Sequence, residues 1–305
     1  MQNVDEMLQE KNYSTENTYL KLIEMGQPAL NRLLEILKTE NVNSAKFGAM
    51  ADALIQMKPA SAINELGQIA LDSGIQDERR RTAIEILDFI GAVDVLPILK
   101  SALEDKAFVN RKDNIVYIFY ALTSVGTVES ITTLIDETSK IKNSNHEALL
   151  NVPNKNSETL VPALVKIIND PATNPSKIFC AFDVLMCMDD CPEQQKAAFE
   201  CGVELLAHKN TQVRFGAANY FSEFASVEQI NLALPALVKV ANGKKSNLQR
   251  MAFEAIEKTV TDPALKAKIK TAVEDIRNSA ILKFKIKEVG KEIQTFAAGQ
   301  KSHRI

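Results

Sequence analysis

Cys180, Cys187, Cys191 and Cys201 fall within 22 residues, the densest set of ligating or nucleophilic groups in the chain. Four thiolates hold zinc when they converge tetrahedrally, and paired C-x-x-C spacing is the usual device. That spacing is absent, and Cys180 and Cys187, seven residues apart, share one helical face. Free, buried thiols without a metal are the expectation. Asp189, Asp190 and Glu193 gather carboxylates at a turn, but an oxygen-ligating loop needs more donors at fixed intervals and a glycine for its bend. Asp190 suits an N-cap for a helix that begins at Pro192. The three histidines, His146, His208 and His303, lie in polar turns, helix ends or the tail. No Gly-rich phosphate loop or nucleophile elbow occurs. No catalytic residue, metal site or cofactor is assigned, and the chain is expected not to be an enzyme.

Cations are arranged more regularly. Lys46, Arg79, Arg80, Arg81, Arg111, Lys112, Lys177, Arg214 and Arg250 mark the starts of successive helical segments. A row of such groups can receive acidic peptides or phosphates, since arginine presents a planar fork of donors. Arg80, Arg81, Arg111, Lys112, Lys177, Arg214 and Arg250 are therefore the candidate binding residues. Asp77, Asp105 and Asp170 precede the same helices and offer a competing use, structural pairing. Net charge bears on the partner. Residues 277–305 carry +5 and the remainder carries −8. An acidic body with no Trp and 6% aromatic residues disfavours nucleic acid.

The elements that position these groups repeat. Leu54, Leu87, Leu122, Leu150, Leu185, Phe221 and Ile256 are separated by 33, 35, 28, 35, 36 and 35 residues. Such a period marks an array of stacked units. Leu54, Leu87, Leu122, Leu185 and Phe221 each sit in a second helix with apolar residues four before and three after, as in Ala83, Leu87 and Ile90, or Ala217, Phe221 and Phe224. Small residues in the first slot (Ala83, Ala181, Ala217, Ala252) allow close helix approach. Pro28, Pro97, Pro162 and Pro235 are expected in the first turns of first helices. Gly26, Gly74, Gly91, Gly126 and Gly243 are expected as C-terminal caps.

Residues 1–26 read as N-terminal capping helices and 27–276 as the array, with an irregular unit at 127–156 whose Asn-rich stretch 143–156 suits a projecting loop. Residues 277–305 read as a capping helix and basic tail. Its seam of Leu282, Ile286, Val289, Ile293 and Phe296 suits packing on the last unit. Its charge also permits peripheral membrane contact, which the seam does not favour. The N-terminus lacks the basic start and apolar core of a signal peptide, and Ile115 to Leu122 is too short to span a membrane. A cytoplasmic protein is expected.

Paired helices of this period, with a proline in the first and a basic start to the second, resemble the HEAT-repeat family, an armadillo-like class. Asn210-Thr-Gln-Val-Arg214-Phe-Gly-Ala-Ala218 is similar to the family's turn followed by Val-Arg-x-x-Ala, with Asn210 where an Asp is usual. Asp77–Ala83 and Asp105–Arg111 are looser matches. The resemblance spans roughly residues 27–276. It implies an all-α fold, a right-handed α-α superhelix of about seven or eight helix pairs. It implies a groove lined by second helices, arginines that pair with acids of the adjacent unit, and a scaffold or adaptor that binds a protein or peptide. The alternative within the same class is an enzyme or nucleic-acid-processing protein, glycosylase-like or lyase-like.

Overall fold

A computed structural model describes residues 3–9, 16–141, 157–188, 192–243, 246–278 and 289–295. No strand forms among the described residues. The chain is an all-α solenoid of helix pairs. It divides into two compact units, the first ending at Glu137 and the second taking Ser157 onward.

In unit 1, α1 (Val4–Gln9) and α2 (Glu16–Met25) precede the pairs α3 (Gln27–Thr39) with α4 (Ala45–Met57), and α5 (Ile63–Leu71) with α6 (Asp77–Ile90). Then α7 (Leu96–Glu104), the short α8 (Lys106–Val109) and α9 (Lys112–Val125) make the third repeat, and α10 (Val128–Thr138) follows. In unit 2 the pairs are α11 (Ser157–Asn169) with α12 (Pro175–Cys187), α13 (Pro192–Leu205) with α14 (Thr211–Glu223), and α15 (Val227–Ala241) with α16 (Ser246–Glu257). There α17 (Pro263–Asn278) and α18 (residues 289–295) complete the array.

Second helices lie side by side, α4 on α6 and α6 on α9, then α12 on α14 and α14 on α16. The landmarks explain why. Leu54, Leu87 and Leu122 in unit 1, and Leu185, Phe221 and Ile256 in unit 2, are all at 0% exposure. Ala83, Ala181, Ala217 and Ala252 are buried equally. Leu150 lies outside the described residues. Phe224, expected on the same face, is instead the C-cap of α14 and stays 53% exposed.

Helix ends depart from expectation in two ways. Pro28 and Pro97 sit in first turns, whereas Pro162 and Pro235 lie inside α11 and α15. Stronger start signals win upstream: Ser226 and Gln229 form a capping box that begins α15. Pro235 then leaves one helical N–H missing, and α15 continues through it to Ala241. Gly91 and Gly126 are left-handed C-caps of α6 and α9, at φ 59° and 65°. Gly74 and Gly243 end their helices in ordinary turns without positive φ.

At the N-terminal end, Asp5 of α1 holds Arg32 of α3 at 3.0 Å and Lys46 of α4 at 2.6 Å. These two bonds, Arg32's first, pull the Asp5 carboxyl below its usual range. At the other end α18 rests on unit 2: Val289 and Ile293 are buried and Glu292 meets Lys268 of α17 at 2.8 Å. Leu282, Ile286 and Phe296 of the seam lie outside the described residues, as does the segment 143–156. Among the described residues no helix is long and apolar enough to cross a membrane.

Candidate functional site

Most of the cations at second-helix starts have partners among the described residues. Arg80 is 3% exposed. Its Nε donates to the Ala70 carbonyl at 2.9 Å and its Nη2 to Asp105 at 2.7 Å, with the guanidinium 4.0 Å over the Phe108 ring. Asp105 also accepts from the backbone N–H groups of Ala107 and Phe108. The Arg80 bond is the main cause of its lowered pKa. Arg214 stands seven residues before Phe221, as Arg80 does before Leu87. It donates to the carbonyls of His208 and Lys209 at 2.6 and 3.0 Å. Gln249, seven before Ile256, donates to the Ala241 carbonyl at 3.0 Å. At this register position Arg80 and Gln249 bond last-turn carbonyls of the preceding first helices, α5 and α15, which lack helical donors, and Arg214 bonds carbonyls of the turn that follows α13.

The remaining candidates differ in placement. Arg79 reaches back to the carbonyls of Leu37 and Glu40. Arg111 pairs with Asp77, which also accepts from Asn114 at 3.0 Å. Arg81 pairs with Glu78 at 2.7 Å. Arg250 grips Glu254 at 2.8 and 2.9 Å. Lys177 is half-buried in the first turn of α12 and engaged there. Lys112 begins α9. In unit 1 the structure brings Arg80, Arg111 and their acids together along α6, α8 and α9, and leaves Arg81 on a different side of α6.

A different set of residues lines the open face of that unit. Between α6 and α9 runs a cleft of about 470 Å³ bounded by Glu85, Asp88, Phe89, Val116, Tyr117 and Tyr120. Phe89 is 45% exposed at its rim. Ser124 donates its hydroxyl to Asp88. Burial pushes the Asp88 carboxyl above its ordinary range, and the Ser124 bond opposes this. Glu85 is also pushed up, first by burial and then by Asp88 and Asp52. Among the described residues no cation pairs with Glu85. The set offers two anionic acceptors beside three aromatic faces. A second cleft, about 510 Å³, lies among Val42, Asn43, Ile75, Gln76, Asp77, Glu78 and Arg111. It holds both signs of charge, and its arginine is spent on Asp77.

The first cleft is lined by no cation, but the sequence carries a signal for it. Two residues before each described landmark stand Asp52, Glu85 and Tyr120 in unit 1, and Asp183, Asn219 and Glu254 in unit 2. That position is polar in every described second helix.

Three of the thiols are held in their neutral form. Burial, above all, pushes Cys180 up to about 12 and Cys187 and Cys201 to about 11, with nearby carboxylates adding to it. Among the described residues no three His, Cys, Asp or Glu side chains are placed to share a metal. His208 accepts the Asn210 N–H at Nδ1, 3.1 Å away. Asp189, Asp190, Cys191, His146 and His303 lie outside the described residues.

No family model matches the chain, and no curated protein matches its sequence. Solved structures do match. Human deoxyhypusine hydroxylase in complex with glycerol is 16% identical with a TM-score of 0.30, covering 97% of this chain and 95% of its own. The CpcE–CpcF complex of phycocyanin lyase from Nostoc sp. PCC7120 is 15% identical with a TM-score of 0.31, covering 80% and 94%. A designed armadillo repeat protein in complex with the peptide (KR)4 is 18% identical with a TM-score of 0.33, covering 87% and 98%. Two of these are enzymes by name and the third is a designed protein in a peptide complex. Such distant likeness transfers none of those activities.

Proposed function

We propose that the chain is a HEAT-like scaffold that binds a protein or peptide along the open face of its second helices and catalyses no reaction. The observation that carries this is the α6–α9 cleft. Phe89, Tyr117 and Tyr120 are left part-exposed there on two adjacent packed helices. Large apolar rings gain free energy on leaving water, and rings held on rigid helices lose little entropy when a ligand covers them. The arginines of the same helices support the reading from the other side. Arg80 and Arg214 fix the frame through backbone carbonyls, and Arg81 and Arg111, paired with Glu78 and Asp77, stand nearer to solvent. Free thiols and an acidic body suit a cytoplasmic setting.

Panning a random-peptide display library against the immobilised full chain tests this, with the Phe89→Ser variant as counter-target. Enriched peptides are expected to lose at least about tenfold in affinity, about 1.4 kcal/mol, on Phe89→Ser. Enrichment of nothing, or of peptides indifferent to Phe89, overturns the reading.

A further inference from the structure

The cleft between α6 and α9 has an aromatic wall and an anionic lip, and the two together specify an occupant. Phe89 and Glu85 share one face of α6, four residues apart, with Asp88 beside them. Val116, Tyr117 and Tyr120 stand opposite on α9. The apolar part would accept the stem of a long side chain, and the carboxylates would accept its head.

Charge decides which head. Glu85 has no described ion-pair partner, and the charged groups acting on it are Asp88 and Asp52, both of its own sign. Among the described residues Asp88 accepts from the Ser124 hydroxyl and meets no cation. Half-buried carboxylates that repel one another bind protons more readily than free ones, and a cation placed between them relieves both effects. An acidic segment would meet repulsion at the same place. The tyrosine and phenylalanine faces add attraction for an ammonium or guanidinium, which a carboxylate or neutral amide does not feel.

The cation that α6 itself could supply is turned away. Arg81 lies one turn before Glu85 but pairs with Glu78. An acid three residues ahead of an arginine has the favourable orientation, whereas Arg81 to Glu85 runs the reverse way. Arg80, also of α6, and Arg111, at the start of α9, are committed elsewhere. Arg80 is buried on Asp105 and Phe108, and Arg111 is on Asp77.

We propose that this cleft takes a basic peptide segment of a protein partner, seating a lysine or arginine side chain between Glu85 and Asp88 and against Phe89, Tyr117 and Tyr120. This rests on the peptide-binding reading and names its ligand class. It reverses the expectation from the cation row, which pointed to acidic peptides. Arginine suits the seat better than lysine, because its planar fork can bridge two carboxylates while its face stacks on a ring.

Fluorescence anisotropy with the full chain tests the seat. The probes are a fluorescein-labelled heptapeptide of alternating Gly and Arg and its Glu counterpart, at about 0.1 M salt, where charges farther apart than about 10 Å are screened. The Arg peptide is expected to bind and the Glu peptide not. Glu85→Gln with Asp88→Asn should weaken the Arg peptide at least about tenfold, with helicity retained. Glu85→Gln alone, a near-isosteric change, should weaken it in the same direction if the double variant folds poorly. Arg81→Met should leave binding equal or tighter. Undiminished binding to the amide variants, or preference for the Glu peptide, overturns the proposal. Displacement by spermine as effective as by unlabelled peptide assigns the cleft to small polycations and also overturns it. If panning instead yields Phe89-dependent peptides without Lys or Arg, this inference falls and the scaffold reading stands. If panning yields nothing, both fall.

Discussion

Glu85 of unit 1 and Glu254 of unit 2 occupy one register position, two residues before the buried Leu87 and Ile256. Each has an arginine four residues earlier, Arg81 and Arg250. In unit 2 that arginine grips its glutamate through both carboxylate oxygens. In unit 1 it turns the other way, to Glu78. The residue three before the arginine differs: it is Glu78 in unit 1 and Asn247 in unit 2. One acidic side chain in the first turn of α6 therefore diverts the local cation and leaves an anionic site open. Two repeats with the same frame can differ in function through a competition among side chains one turn apart.

The frame itself should respond alike in both units. Leu87→Ala and Ile256→Ala each remove a side chain at 0% exposure and should each cost about 2–5 kcal/mol. Urea midpoints of the two variants check this, and a neutral result at either position would break the register on which the comparison stands. The carbonyl-closing position comes next and should divide the units. Arg80→Leu loses a buried guanidinium with bonds to Ala70 and Asp105 and should cost about 2–3 kcal/mol, reduced from a fully buried pair because Asp105 is part-exposed. Gln249→Leu loses one neutral bond to Ala241 and should cost about 1 kcal/mol. Equal costs would mean that the charge of Arg80 adds nothing to its carbonyl bond.

The helical pairs and their core were legible in the sequence because burial enforces a strict period. Leu54, Leu87, Leu122, Leu185, Phe221 and Ile256 could not drift without exposing themselves. Helix starts were less legible. Pro162 and Pro235 look like first-turn prolines, but Ser226 with Gln229 begins α15 earlier and the helix tolerates the lost N–H. The cleft was hardest to see. Carboxylates are common, so Asp52 and Glu85 at landmark spacing stand out only once the open face is known. The cations were conspicuous in sequence, and Arg80 and Arg214 turn toward backbone carbonyls that no motif announces.

Neutralising the two glutamates should change stability with opposite signs. Glu85 has its pKa raised in the folded chain, so the native state binds more protons than the unfolded one just above the ordinary glutamate range. Its contribution to stability therefore falls as pH rises through that window, and at pH 7 the ionised form is a net burden. Glu85→Gln should leave the urea midpoint at pH 7 unchanged or higher, with the gain vanishing in acid. Glu254→Gln should cost roughly 0.3–0.5 kcal/mol, the worth of an i,i+4 pair. A loss of stability in Glu85→Gln at pH 7 would show that Glu85 has a cationic partner within the chain, and unit 1 would then resemble unit 2.

The smallest expected effect is the most direct test of the comparison. Glu78→Gln gives unit 1 an amide where unit 2 has Asn247. Arg81 then loses its partner and can turn one helical turn forward to Glu85, as Arg250 does to Glu254. Stability should change by no more than about 0.5 kcal/mol, since one part-exposed pair replaces another. The Glu85 carboxyl, followed by its side-chain carbon resonance, should titrate lower than in the parent chain, because a nearby guanidinium favours the ionised form. Affinity for the Arg peptide should fall by about threefold or more, less than 1.4 kcal/mol, and Arg81→Met added to Glu78→Gln should restore it. An unchanged Glu85 titration in Glu78→Gln would mean that the aromatic wall of Phe89, Tyr117 and Tyr120, not Glu78, keeps Arg81 out. The open site would then be a property of the cleft's shape, and exchanging Glu78 for an amide could not close it.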